Sequence, residues 1–240
     1  MTTISLVATS HGTDSVDSQI AITALVDAVR EAAPHLQVRE AFVDVQVPRV
    51  DTVADQVEGL AVIVPLLLTP GFHVRVDIRD AAERPWVVAA EPLGVDDRLT
   101  AVMLRRLAQA GATRDDVVVL GAAGSTDAGA LRSIEEAARR LSQAWGAPIA
   151  VGHVGGSGTP MAEVLDAVRR RGRRTVGVSY MVGPGFFHDR LARSGVDVVT
   201  RPLLQGTAVD PDLVSLVLDR FAEAAELLDW TAARAVHAPV

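Results

Sequence analysis

The chain has 240 residues, 49% of them hydrophobic and 22% charged, with a formal net charge of −7. That is a globular composition with room for one large domain or two ordinary ones, and it excludes a disordered chain. The absence of cysteine excludes disulfides, iron–sulfur clusters and thiolate metal sites. The negative charge argues against broad nucleic-acid binding but leaves room for a small anionic ligand, which feels only the local field.

No apolar run reaches the roughly 18 residues of a membrane span. The start, Met-Thr-Thr-Ile-Ser-Leu, lacks the basic head and long apolar core of a signal peptide. A cytoplasmic protein with no membrane partner is the expectation.

Ile4–Thr9 predicts a buried strand, and Ser10-His-Gly-Thr13 a turn. A helix follows, with Ile22, Leu25, Val26 and Val29 at one-face spacing and Pro34 at its end. Val38–Val43 predicts a second strand. A short helix after Pro48 carries Val50, Val53, Ala54 and Val57 on one face. The long apolar run Ala61–Leu68 predicts a central strand, broken by Pro70-Gly71. Trp86–Ala90 predicts a fourth strand. Asp96–Ala110 predicts a helix with Leu99, Val102, Met103 and Leu107 inward and Gly111 as C-cap.

The pattern then restarts. Val117–Gly121, Ile149–Val154, Thr175–Tyr180 and Val196–Thr200 predict strands. Leu131, Ile134, Ala138 and Leu141 mark one helical face, and Met161, Val164, Leu165 and Val168 a second. Leu213, Leu216, Val217 and Phe221 mark the last. Gly12 and Pro48 match Gly124 and Pro160 at an offset of 112. Pro70-Gly71-Phe72 matches Pro184-Gly185-Phe186, and Leu99, Val102, Met103 and Leu107 match the last helix, at 114. This is an internal duplication. Strands alternating with helices make parallel sheets flanked by helices. The expected fold is therefore α/β, as two similar parallel-sheet lobes. Residues 1–115 form one and 116–240 the other, joined near Arg114–Asp116, with a cleft between them.

His11, Asp44 and His73 each follow an apolar strand run, and in an open parallel sheet the carboxyl ends of the strands line the ligand crevice. Two imidazoles and a carboxylate there can bind a divalent metal or move protons. Taken singly, each has a plain structural reading: a hydrogen-bonded histidine, or an aspartate capping a turn. The duplication weighs against those readings. At the offsets above, His11 becomes Ala123, Asp44 becomes Gly156 and His73 becomes Phe187. The scaffold repeats and the polar set does not, so the three belong to one site on the N-terminal lobe. His188 stands one place past the equivalent of His73. His153 matches Ala41 and reads as packing or support. Gly155-Gly-Ser-Gly158 lacks the lysine of a P-loop and reads as a wall for a flat ligand. Arg49, Arg75, Arg79, Arg190 and Arg201 are candidates to meet ligand carboxylates. Asp77 is placed to support His73 or to cap a helix.

These features resemble the sirohydrochlorin chelatases, the cobalt- and iron-inserting enzymes of cobalamin and sirohaem synthesis. The resemblance rests on Ser10-His-Gly-Thr13, Phe42-Val-Asp-Val-Gln-Val-Pro48, and Pro65-Leu-Leu-Leu-Thr-Pro-Gly-Phe-His-Val-Arg-Val-Asp-Ile78. In the second half it rests on Ala123-Gly-Ser-Thr-Asp127 and Ser179-Tyr-Met-Val-Gly-Pro-Gly185. It implies a two-lobed chelatase fold and insertion of Co²⁺ or Fe²⁺ into sirohydrochlorin. It carries the family's active-site histidines onto His11 and His73, and its acidic residue onto Asp44, where glutamate is more common. The metal is a substrate, no other cofactor is implied, and a monomer or weak homo-oligomer suffices. Leu66, Leu68, Phe72, Met181 and Phe186 are expected to wall the macrocycle. Porphyrin ferrochelatase activity, or non-catalytic binding of metal or tetrapyrrole, are the alternatives.

Overall fold

The computed structural model describes residues 4–71, 74–169 and 172–228. Its first half runs β1 (Ile4–Ser10), α1 (Val16–Ala32), β2 (Gln37–Phe42), α2 (Val50–Asp55) and β3 (Leu60–Pro65). A π-helical turn (Val74–Ile78), α3 (Arg79–Ala81), β4 (Val87–Ala89) and α4 (Asp97–Gln109) complete it. The second half runs β5 (Val117–Ala122), α5 (Ala128–Trp145), β6 (Ala150–His153) and α6 (Met161–Val168). It ends with β7 (Thr175–Tyr180), α7 (Phe186–Ala192), β8 (Val198–Val199) and α8 (Pro211–Ala225).

The strands form two parallel sheets, ordered β2-β1-β3-β4 and β6-β5-β7-β8. The duplication and the two-sheet α/β architecture are as expected. Each sheet is covered on both faces, so its central strands are buried along nearly their whole length. Side chains alternate across a strand. Leu6, Ala8, Leu60, Val62 and Val64 enter the core between the sheets, while Val7, Ala61 and Ile63 pack outward against α2 and α3. In the second sheet Val118, Leu120, Val176 and Val178 face the same inner core, and Val119 faces α6 and α7.

The inner layer is made of α1, α4, α5 and α8, and its helices cross between halves. α4, from the first half, lies against β7 and α5, while α8, from the second, lies against β3, β4 and α1. The inward faces of both helices share one cluster. Polar ties run along the crossing. Arg105 Nε donates to Asp210 Oδ2 at 2.8 Å, and Arg98 reaches both Asp96 and Asp219. Arg106 donates to the carbonyls of Pro202 and Leu203. The paired aspartates are themselves repeated features. Asp96 caps α4 and Asp210 caps α8, each accepting from a backbone amide of the first turn.

Several boundaries differ from the sequence reading. The run Ala61–Leu68 is not strand to its end. β3 stops at Pro65, which has no amide to donate, and Leu66–Leu68 turn into a loop. α4 ends at Gln109 with Ala110, not Gly111, as its C-cap, and Gly111 follows in the left-handed region at φ 66°. The helical segments after the two Pro-Gly breakers, Val74–Ala81 and α7, were not expected.

The alignment of the halves also needs one correction. Ser10 pairs with Phe42 and Ala122 pairs with His153, so this segment repeats at 111 rather than 112. Val45 and Gly156 share φ 58°. Asp44 therefore corresponds to Gly155, and His153 to Phe42. Matching Pro48 to Pro160 by identity misplaced both, because hydrogen bonding sets the register: Phe42 N donates to Pro48 O, and His153 N to Thr159 O.

Candidate active site

A cleft of about 780 Å³ opens at the carboxyl ends of β1, β3, β5 and β7. In each sheet these two strands flank the point where the strand order reverses, which is where open α/β sheets bind ligands. Ser10–Ser15 and Leu66–Thr69 line it from the first half, and Ala122–Thr126 and Tyr180–His188 from the second. The halves meet beside it. A Cβ added to Gly183 would lie 2.8 Å from Ser18 Oγ. The buried Tyr180 hydroxyl donates to the Gly94 carbonyl at 3.2 Å, tying β7 to the first half.

His11 stands on the cleft, one residue past the end of β1. Its Nδ1 lies 3.1 Å from the carbonyl of Gly12. A carbonyl only accepts, so in this contact Nδ1 is the donor, and Nε2 is the ring nitrogen left to face a ligand. This is the arrangement by which metal-binding imidazoles are oriented. Gly12 makes the turn possible. It has φ 86°, and a Cβ there would lie 2.1 Å from the Asp44 carbonyl oxygen.

Asp44 sits on the adjacent segment, exposed and outside the cleft lining. Its carboxylate accepts from Arg49 at 3.2 Å. The Val45 amide holds the carboxyl below the usual carboxylate range, and Arg49 and His11 act in the same direction. Asp44 thus carries a settled negative charge near His11, while Val45, its neighbour in the left-handed region, lines the cleft. His73 and Phe72 lie outside the described residues. Among the described residues no three of His, Cys, Asp and Glu gather as a metal cluster.

The expected walls Leu66, Leu68, Met181 and Phe186 do line the cleft. Phe186 and Phe187 pack edge to face, with centroids 5.2 Å apart, and are 65% and 42% exposed at its rim. Apolar side chains left open beside a cavity mark an interaction surface. Gly156 joins this wall as expected. Packing constrains the whole turn: a Cβ on Gly156 would lie 2.9 Å from Ser125 N. A Cβ on Gly155 would meet Phe187 at 2.9 Å, and one on Gly158 would meet His153 at 2.3 Å.

One residue of the lining, Asp14, and one pairing, Ser179 with His188, escaped the sequence reading. Asp14 lies next to the His11 turn. Ser179 Oγ lies 2.9 Å from His188 Nδ1, and burial pushes the His188 imidazole below its ordinary value, favouring the neutral form. The pairing crosses from β7 to α7 and has no signal in spacing. His153 is buried and turned away from the main cleft, with Nδ1 3.3 Å from Thr159 O. Asp77 lies within the π-helical turn rather than at a helix cap. Arg49 pairs with Asp44, Arg79 and Arg201 are exposed away from the cleft lining, and the Arg75 side chain lies outside the described part.

Two lobes, each with a four-stranded parallel sheet in 2-1-3-4 order, and a cleft between their carboxyl ends define the chelatase fold. SirB from Bacillus subtilis with Fe³⁺ superposes with a TM-score of 0.77 at 19% identity, over 95% of this chain and 99% of that one. The sirohydrochlorin chelatase SirB from Bacillus subtilis subspecies spizizenii, in complex with cobalt, gives 0.73 at 20% identity, over 93% and 96%. CbiX, the terminal enzyme for biosynthesis of siroheme in denitrifying bacteria, gives 0.63 at 18% identity, over 92% and 99%. In sequence, the CbiX family model matches residues 5–110, within the N-terminal half. No curated protein matches the chain in sequence.

Proposed function

We propose that this protein is a chelatase that inserts Co²⁺ or Fe²⁺ into sirohydrochlorin, with His11, His73 and Asp44 as its working residues. The lobe of residues 1–115 carries the metal, and the lobe of residues 116–240 forms the opposite wall. The observation that carries the reading is His11 at the mouth of an apolar-rimmed cleft, on the lobe that matches the CbiX family.

Chelation exchanges a metal's ligands for ring nitrogens and removes two pyrrole N–H protons. In this reading His11 holds the dication through Nε2; as the metal passes to the ring nitrogens that Nε2 is freed, and His11 and His73 each accept one of the two pyrrole protons. Asp44, ionised beside His11, stabilises the imidazolium and the dication. The phenylalanines at the rim and the leucines of Leu66–Leu68 cover the macrocycle and exclude water. The metal is substrate, and no further cofactor enters.

The test mixes sirohydrochlorin and Co²⁺ or Fe²⁺ with catalytic amounts of protein and follows absorbance. Turnover beyond one equivalent identifies an enzyme. A stoichiometric spectral change would instead mark a binding protein, and turnover of porphyrin in preference to sirohydrochlorin would mark a ferrochelatase.

A further inference from the structure

A second groove, of about 490 Å³, lies on the C-terminal lobe between the Gly155–Gly158 turn and α7. It shares Gly156 with the main cleft, so the two are continuous. Arg190 and Arg193, one helical turn apart, both line it, and no aspartate or glutamate does. All 23 basic residues of the chain are arginine. Many are consumed by carboxylates, such as Arg84, Arg98, Arg105, Arg139, Arg140 and Arg174. Among the described residues, Arg190 and Arg193 have no carboxylate within ion-pair distance. Arg190 instead lies over the Phe186 ring, 5.6 Å from its centroid. Stacking of this kind fixes the guanidinium plane and leaves its N–H edge available for bidentate contact. Phe186 is itself on the rim of the main cleft.

The described lining of the main cleft is different. Among the described residues that line it there is no arginine. A macrocycle bearing many carboxylates, covered there on its apolar faces, would meet no guanidinium among the described lining residues, and its acidic arms are free to extend into the adjoining groove. The groove beside Gly156 is where two uncommitted guanidiniums are found, within reach of the rim.

Resting on the chelatase reading, we propose that Arg190 and Arg193 form a carboxylate-recognition subsite that receives acidic side arms of the tetrapyrrole. The arms pass over Gly156, which lines both cavities, and end against the two guanidiniums. The subsite selects polycarboxylate macrocycles over neutral ones and acts on binding, apart from the metal step.

The experiment measures binding of a polycarboxylate porphyrin and of its fully esterified counterpart to the full chain, by porphyrin fluorescence. Wild type should prefer the acid, with an affinity that falls as salt rises. Arg190→Ala and Arg193→Ala should each weaken acid binding about 3-fold and the double variant about 10-fold, the scale of partly exposed ion pairs. Ester binding should stay unchanged, and Arg190→Lys should recover only part of the loss. Equal acid affinity in wild type and double variant, or an equal loss for acid and ester, would overturn the subsite. A wild type that binds the acid through these arginines yet never inserts metal would overturn the chelatase reading while supporting the subsite.

Discussion

The backbone amide of Asp44 donates to the carbonyl of His11 at 2.9 Å. One residue earlier, Val43 N donates to Ser10 O, so the β1–β2 ladder runs past the strand ends and carries both side chains to one lip. Their proximity is thus a backbone property. It survives substitution of either side chain, which makes side-chain variants clean probes of chemistry.

His11→Ala and His73→Ala are each expected to cut steady-state chelation by about 10²-fold or more, the scale of a lost acid–base group. Circular dichroism and thermal midpoint should stay near wild type. Rates near wild type in both variants would remove the two histidines from the mechanism.

Asp44→Asn should cost more activity than Asp44→Glu, since the charge beside His11 is what matters. The pH dependence has a defined sign. The Asp44 carboxyl is held below its ordinary value of 3.8, so its stabilisation is present above that value and lost as pH falls through the lower folded value. Any thermal destabilisation of Asp44→Asn at neutral pH should therefore shrink in acid below about pH 4. Wild-type activity in Asp44→Asn would reduce the residue to a turn partner of Arg49.

Gly12→Ala places a Cβ against the Asp44 carbonyl at φ 86°. A cost of about 2–4 kcal/mol is expected from strain and the forced shift of the lip, read by denaturant unfolding. Chelation should fall as well, because His11 and Asp44 separate. A variant as stable and active as wild type would show that the turn relaxes without disturbing the site.

The site is expected to be one-sided. Ala123 and Gly155 stand where His11 and Asp44 stand in the first half, and neither side chain binds metal. Calorimetric titration with Co²⁺ should give one site per chain, lost in the His11→Ala/His73→Ala double variant. His153→Ala and His188→Ala should leave that site intact and alter tetrapyrrole affinity modestly. A site that survived the double variant but vanished with His188, which faces the cleft beside Ser179, would move the metal to the other lobe.

The apolar runs and their turns determined the two parallel sheets and the end of β1 where His11 stands, because strand burial and breakers are local properties. The difference between the two halves marks His11, Asp44 and His73 in the sequence itself. Other features depended on the tertiary structure. An amphipathic helix such as α4 or α8 shows which side chains it buries, but the sheet it covers is decided by surfaces a hundred residues away, and here each covers the sheet of the opposite half. Register depends on which amide reaches which carbonyl, so Gly155 rather than Gly156 answers to Asp44. The Ser179–His188 pair, the tie from Tyr180 to Gly94 and the approach of Arg190 and Arg193 to the rim join distant elements, and such contacts exist only once the chain has packed.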